Sequence, residues 1–313
     1  MLDNQTPSPT SPKRCTAPIE RLYFDILSQI FLECLSETQL SSVRMSEAPV
    51  LLGRICSHWR AVVLNTPMLW AGLMLGSGRV QNDDAKDAMA AAEWKIRAGS
   101  CLMSYSLWRT PDVIDVILPH CGQWRTINAH LEFDGWHKMY AAISQGAPCL
   151  RYLALEILAS RLSSGFIQQI DIALPIPGAS QLQKLITATN CRVHFNRMEA
   201  PSLRKLLFYG PTLTAGPVSD IAHISSISRL VAILDLLSDS VPKLSKPTHY
   251  YKVFEMELSR PGFDLLLDVI RAPSLESLDC TFRHSIDDNR VVCALSHFLK
   301  RSGACLLTWI STH

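Results

Sequence analysis

Few side chains in this sequence stand at the spacings that catalysis or metal binding requires. Its acidic clusters are Asp83-Asp84 with Asp87, and Asp287-Asp288. Neighbouring carboxylates of this kind read as solvated loop groups, not as a general acid/base pair. His120 adjoins Cys121, with no third ligand or base-orienting residue beside it in sequence. The ten cysteines are scattered singly, without a CxxC pair or a His/Cys cluster at zinc-finger spacing. Cys34, Cys56 and Cys191 therefore read as small apolar fillers, reduced inside a cell. The phosphate-binding GxxxxGK loop, GxGxxG after a strand, the GxSxG elbow and the HExxH pair are all missing. The chain is expected to be no enzyme and to use no cofactor or metal.

What remains is the chemistry of recognition. Trp108, Arg109, Trp124, Arg125, Trp136, Tyr152, Arg204 and Arg283 combine aromatic bodies with guanidinium forks. Such side chains anchor protein partners inside a polar rim. Which of them point outward depends on strand register, which the sequence leaves open. A formal net charge of +2 with no long Lys/Arg block argues against nucleic acid and anionic membranes as partners. The best apolar run, Leu230 to Leu237, is interrupted by Asp235 and far too short to span a bilayer. No signal-peptide pattern opens the chain, and the expected location is cytoplasm, nucleus or both.

These residues must be positioned by a folded scaffold, and 313 residues at 48% apolar and 19% charged are enough to build one. Residues 1–17 are rich in Pro, Ser and Thr and are expected to form a tail. Thr6-Pro7, Ser8-Pro9 and Ser11-Pro12 fit proline-directed phosphorylation there. From Ile19 to Leu35, the residues Leu22, Ile26, Leu27, Ile30, Phe31 and Cys34 make an apolar face broad enough for burial on two sides. A polar stretch, 36–48, precedes a second predicted helix from Pro49, in which Leu52, Ile55, Cys56, Trp59, Val62 and Val63 recur at helical spacing. Asn65-Thr66-Pro67 ends it and offers Thr66 as the cap of a short turn carrying Met68, Leu69 and Trp70. Leu73 and Leu75 then alternate as a first strand. A helical unit of this size buries little of its surface, so it gains by docking onto the remaining chain or onto another protein.

Beyond residue 75 a phrase repeats. Pro148-Cys149-Leu150-Arg151-Tyr152-Leu153 is echoed by Pro201-Ser202-Leu203-Arg204-Lys205-Leu206 and by Pro273-Ser274-Leu275-Glu276-Ser277-Leu278. Weaker copies give strand starts near 102, 124, 182, 230, 253 and 306. The intervals suit stacked repeats of one strand and one connector. Helical or turn-like connectors are predicted at 112–118, 137–145, 160–172 and 263–271. The fold class is α/β: a small all-helical unit over 18–75, then an irregular solenoid with parallel strands over 76–313.

The stretch IERLYFDILSQIF followed by APVLLGRICSHWRAVVLNTPMLWAGLML resembles the F-box-like domain of fungal, basidiomycete-type F-box proteins. Ile19, Leu22, Ile26, Leu27, Ile30 and Phe31 match the family pattern, as do Ile55, Cys56, Trp59, Arg60, Pro67, Leu69 and Trp70; Tyr23 replaces a proline and Asp25 a glutamate. Family members often continue into divergent leucine-rich repeats, which the Ala-Pro-Ser-Leu phrases at 200–203 and 272–275 resemble. The resemblance implies the substrate-recognition subunit of an SCF-type ubiquitin ligase, which binds Skp1 and through it a cullin. On this chain it implies Leu22, Tyr23, Ile26, Leu27, Ile30, Phe31, Pro49 and Leu51 as the Skp1-binding residues, with the repeats holding a target protein. Tyr23 keeps open a degenerate F-box serving a non-ligase scaffold, and a divergent enzyme is the third alternative.

Overall fold

The computed structural model describes residues 18–36, 39–76, 84–157, 169–173, 176–189, 192–196, 202–210, 229–234, 248–249, 255–259, 267, 270–281, 288–303 and 308–312. Arg283, the 1–17 tail and residues 160–168 lie outside them. The chain begins with α1 (Phe24–Glu33), α2 (Ser57–Leu64), β1 (Gly72–Leu75), α3 (Asp84–Ala98), β2 (Met103–Trp108), α4 (Pro111–Ile117), β3 (Trp124–Leu131) and α5 (Phe133–Gly146). It continues through β4 (Tyr152–Ile157), β5 (Gln169–Ala173), β6 (Lys184–Thr189), β7 (Arg192–Asn196), β8 (Lys205–Gly210), β9 (Arg229–Leu234) and β10 (Thr248–His249). The last elements are β11 (Glu255–Ser259), β12 (Ile270–Arg271), β13 (Ser277–Thr281), α6 (Asp288–Ser302) and β14 (Thr308–Thr312).

The result is a mixed α/β fold around an open parallel sheet flanked by helices. The sheet has ten strands in the order β1-β2-β3-β4-β6-β8-β9-β11-β13-β14, so spatial order follows chain order. Two small parallel pairs, β5 with β7 and β10 with β12, run beside it. Every predicted strand start lies within about two residues of an observed strand. The 160–172 connector is corrected at its end, because Gln169–Ala173 pairs with β7 as a strand. Likewise Ile270 and Arg271 form β12 and do not continue a helix.

Registers align the alternation across strands. Leu73, Tyr105, Ile127, Leu153, Leu185 and Leu206 form one row of cross-strand partners, and all six are buried. Leu75, Leu107, Ala129, Leu155 and Thr187 form a second buried row. One position further toward the N-terminus of the phrase, Trp70, Trp124, Leu150, Leu182, Leu203 and Leu275 are buried too. Most units therefore read apolar-x-x-apolar-x-apolar, with the three apolar positions inward. A turn with a buried alanine precedes several of them: the N–H groups of Leu150, Leu182 and Leu275 donate to Ala147, Ala179 and Ala272 O, each at 3.1 Å. The turn delivers the first apolar residue inward, and strand alternation delivers the next two.

The N-terminal unit joins this sheet at β1. Met74 N–H donates to Ser41 O at 2.8 Å, and Trp70 Nε1 donates to Val63 O at 2.9 Å. Trp70 also meets Trp94 of α3 edge-on at 4.7 Å, under the Arg97 guanidinium. It thus fastens the helical corner to the first helix of the repeats. α1 and α2 meet through Phe31 and Trp59, whose ring centroids are 4.8 Å apart.

The second predicted helix is broken. Leu52–Arg54 is a single 3-10 turn, Cys56 is extended (φ −155°, ψ 171°), and α2 starts at Ser57 with Cys56 Sγ accepting from Trp59 N–H. The break rotates Ile55 out of the predicted inward stripe and leaves it exposed. Thr66 does not cap the following turn; its hydroxyl donates back to Val62 O at 2.8 Å. Asp84 and Asp87, expected on a loop, instead occupy the first turn of α3, where carboxylates complement the helix dipole. Asp87 is buried there.

Candidate functional site

Two surfaces gather the residues that the sequence singles out. The first is on α1. Leu27 and Phe31 face the interior, whereas Tyr23, Ile26 and Ile30, at positions i, i+3 and i+7, share a neighbouring stripe. Their exposures are 83%, 51% and 41%. Leu22 is half-buried, and Leu51 is exposed on the turn before Leu52–Arg54. Pro49 is buried, so Leu27, Phe31 and Pro49 serve the fold and are not presented to a partner. Tyr23 precedes the first turn of α1 at φ −65° and ψ 153°.

The second surface is the face of the sheet opposite the buried rows. At its far edge Trp108, 43% exposed, stacks on His130 with centroids 3.6 Å apart and planes at 19°. His130 Nδ1 lies 2.6 Å from Glu156 Oε2. The approach does not satisfy the directionality of an N–H hydrogen bond, so the contact is best described as electrostatic. Trp108, His130 and Glu156 are register partners on β2, β3 and β4. The corner is tightly fixed. Arg109 sits at φ 51° with its N–H donating to His130 O at 3.1 Å. A Cβ on Gly76, itself at φ 75°, would stand 2.0 Å from Trp108 O, so that position needs glycine.

At the opposite edge lie the two residues between the first and second apolar positions of each phrase. These doublets are Arg125-Thr126, Arg151-Tyr152, Gln183-Lys184, Arg204-Lys205 and Glu276-Ser277. Arg125, Arg151, Arg204 and Lys205 are exposed, while Tyr152 and Lys184 are half-buried. Backbone bonds step across the row: Arg151 N–H donates to Arg125 O, Gln183 N–H to Arg151 O, and Arg204 N–H to Gln183 O, at 2.8–2.9 Å. Lys184 Nζ stands 4.8 Å over the Tyr152 ring.

Thus Trp108 and Arg109 meet at one edge, and Arg125, Tyr152 and Arg204 fall in one band at the other. Trp124 and Trp136 are corrected. Trp124 takes the first inward position of its phrase, and Trp136 lies within α5, stacked with Tyr140 at 5.1 Å. Neither reaches a surface. Sequence reasoning missed His130, Glu156, Arg151, Lys184 and Lys205. Aligning the phrases on their apolar positions would have found them, since each repeats the place of a neighbour on the next strand.

A cavity of about 370 Å3 opens on the helical side, between α3 and α4. Ala91, Ile96, Val116 and Ile117 line it with Lys95, Tyr105 and His120. Burial raises the Tyr105 phenol above its ordinary pKa, and its hydroxyl has no protein partner. Burial, and then the Lys95 ammonium, hold the His120 imidazole below its ordinary value. Lys95 Nζ donates to Gly99 O at 2.7 Å. Among the described residues no carboxylate lines this cavity, so they assemble no His/carboxylate pair there.

Among the described residues no group of three His, Cys, Asp or Glu is placed to hold a metal ion. No described helix is long and apolar enough to cross a membrane. No protein-family model matches the chain, and no curated protein sequence matches it.

Proposed function

We propose that this chain is an F-box-like substrate receptor, in which the helical unit 18–75 docks Skp1 and a solenoid of divergent leucine-rich repeats holds a target protein. The observation that carries the reading is the split face of α1. One stripe, Leu27 and Phe31, is fully buried, while an adjoining apolar stripe of Tyr23, Ile26 and Ile30 is left in solvent. A small helical unit gains most by covering such a stripe with another protein. The proline that the family carries at position 23 is absent, but Tyr23 holds φ −65°, the angle a proline ring would impose. The tyrosine therefore keeps the backbone geometry of the helix start and adds an amphipathic ring to the stripe.

The solenoid half of the proposal is supported by the spatial order of the strands and by the inward rows they share. Catalysis would come from proximity within the assembled ligase, with no reacting residue here. The test is co-purification of the full chain with Skp1. One-to-one recovery is expected. It should be lost when Ile26 and Ile30 are both changed to Glu, with the circular dichroism spectrum and thermal midpoint retained. Failure of the unaltered chain to bind Skp1 would reject the ligase role. A scaffold with a degenerate F-box is favoured by Tyr23 alone; recovery of Skp1 binding only in Tyr23→Pro would establish it.

A further inference from the structure

The doublets on the outer face of the sheet are not a random sample of polar residues. From β3 to β8 they place Arg125, Arg151, Lys184, Arg204 and Lys205 side by side. The band has ends. Toward β1 the matching positions are Ser104 and Gly72, which are uncharged. Further along the sheet the sign reverses, at exposed Glu276. A chain of net charge +2 therefore concentrates cations on one stretch of one face.

We infer that this band is a docking strip for an acidic polypeptide segment, carrying Asp and Glu side chains and lying extended across the strand starts. The inference deepens the proposed recognition role of the sheet face and rests on it. Charge complementarity commits the occupant. Arginine forks are suited to bidentate capture of carboxylates, and a row of cations at fixed spacing guides and orients an anionic chain. Strands stand about 4.8 Å apart, so the band from β3 to β8 spans roughly 14 Å, which about four to five extended residues cover. The cation–π contact of Lys184 over the Tyr152 ring gives the middle of the strip a preformed shape. Exposed Glu276 repels an anionic chain that slides toward it, which limits its placement on that side.

The test is fluorescence anisotropy with the full chain and a fluorescein-labelled octapeptide of alternating Asp and Glu. The Asn/Gln counterpart and an eight-nucleotide oligothymidylate serve as competitors. The acidic peptide should bind, the amide peptide should not compete, and affinity should fall as salt rises. Arg151→Glu and Lys205→Glu should each weaken binding about tenfold, since reversal removes one attraction and adds one repulsion. Lys300→Glu, on α6 and away from the band, should leave it within about twofold. If a reversal variant fails to fold, Arg151→Gln and Lys205→Gln give the same comparison at about a threefold loss.

Absence of peptide binding overturns the inference. Equal weakening by Lys300→Glu also overturns it, because the attraction would then be diffuse, and so does tighter binding of the oligonucleotide. Skp1 capture on the same samples separates the two proposals. Peptide binding without Skp1 binding rejects the ligase role and upholds the strip, and the opposite result rejects the strip alone.

Discussion

His120 stands at the mouth of the helical-side cavity, next to a lysine whose ammonium is tied to Gly99 O. Burial is the larger cause of its lowered pKa and Lys95 the smaller. In an NMR titration its ring should therefore change charge below the ordinary value of about 6.5, and Lys95→Met should restore only the smaller part of the shift. The sign for stability follows. Below about pH 6.5 the unfolded chain binds this proton more readily than the folded one, so any contribution of His120 is complete above that pH and is lost as the pH falls. A titration midpoint above the ordinary value would refute the assignment. At this scale residue type alone misleads. Trp108 and Trp124 look alike in the sequence, yet one is exposed at a strand end and the other fills an inward position. Only register separates them, and register is a property of neighbouring strands that no single stretch of sequence contains.

The elements show which local signals survive folding. α4 and α5 appear where apolar spacing predicts helical connectors, and nine of the ten strands follow the repeated phrase, β1 following the Leu73/Leu75 alternation. α3 was not legible because its buried face is largely alanine, with Ala91 and Ala98 beside Trp94, and alanine is too small to mark a stripe. The break at Cys56 was equally hidden: helical spacing runs through it, but the extended Cys56 backbone and its thiol cap divide the segment. Within β6, Thr187 occupies an inward position, between the register partners Leu155 and Phe208, with a buried hydroxyl that has no partner. An unpaired buried hydroxyl is unfavourable, so Thr187→Val should raise unfolding stability by about 1 kcal/mol in urea titration. A loss of similar size would mean that the hydroxyl is hydrogen-bonded after all. Of the α1 residues, the broad apolar face was readable in the sequence, but its division into an inward and an outward stripe required the position of Trp59.

Across the whole molecule, each strand of the large sheet bonds only to its sequence-order neighbours in that sheet. Stability in such an array is close to a sum of local couplings. Leu153→Ala in β4 removes a fully buried side chain and should cost about 2–5 kcal/mol. Amide exchange should then rise most in β3, β4 and β6 and least in β14, as local opening spreads from the cavity; a uniform rise along the sheet would show a single cooperative unit instead. The parallel architecture was legible because its phrase recurs often enough to outweigh irregular spacing. The β10 and β12 pair was not, since each strand is two residues long and carries no periodicity. The alternation that buries three positions of most described phrases also leaves two consecutive residues outside the core's volume. Two neighbouring codons thus specify one column of the outer face, and changing them leaves the interior composition as it was. A lineage can rewrite the chemistry of that face, strand by strand, without revising how the chain folds.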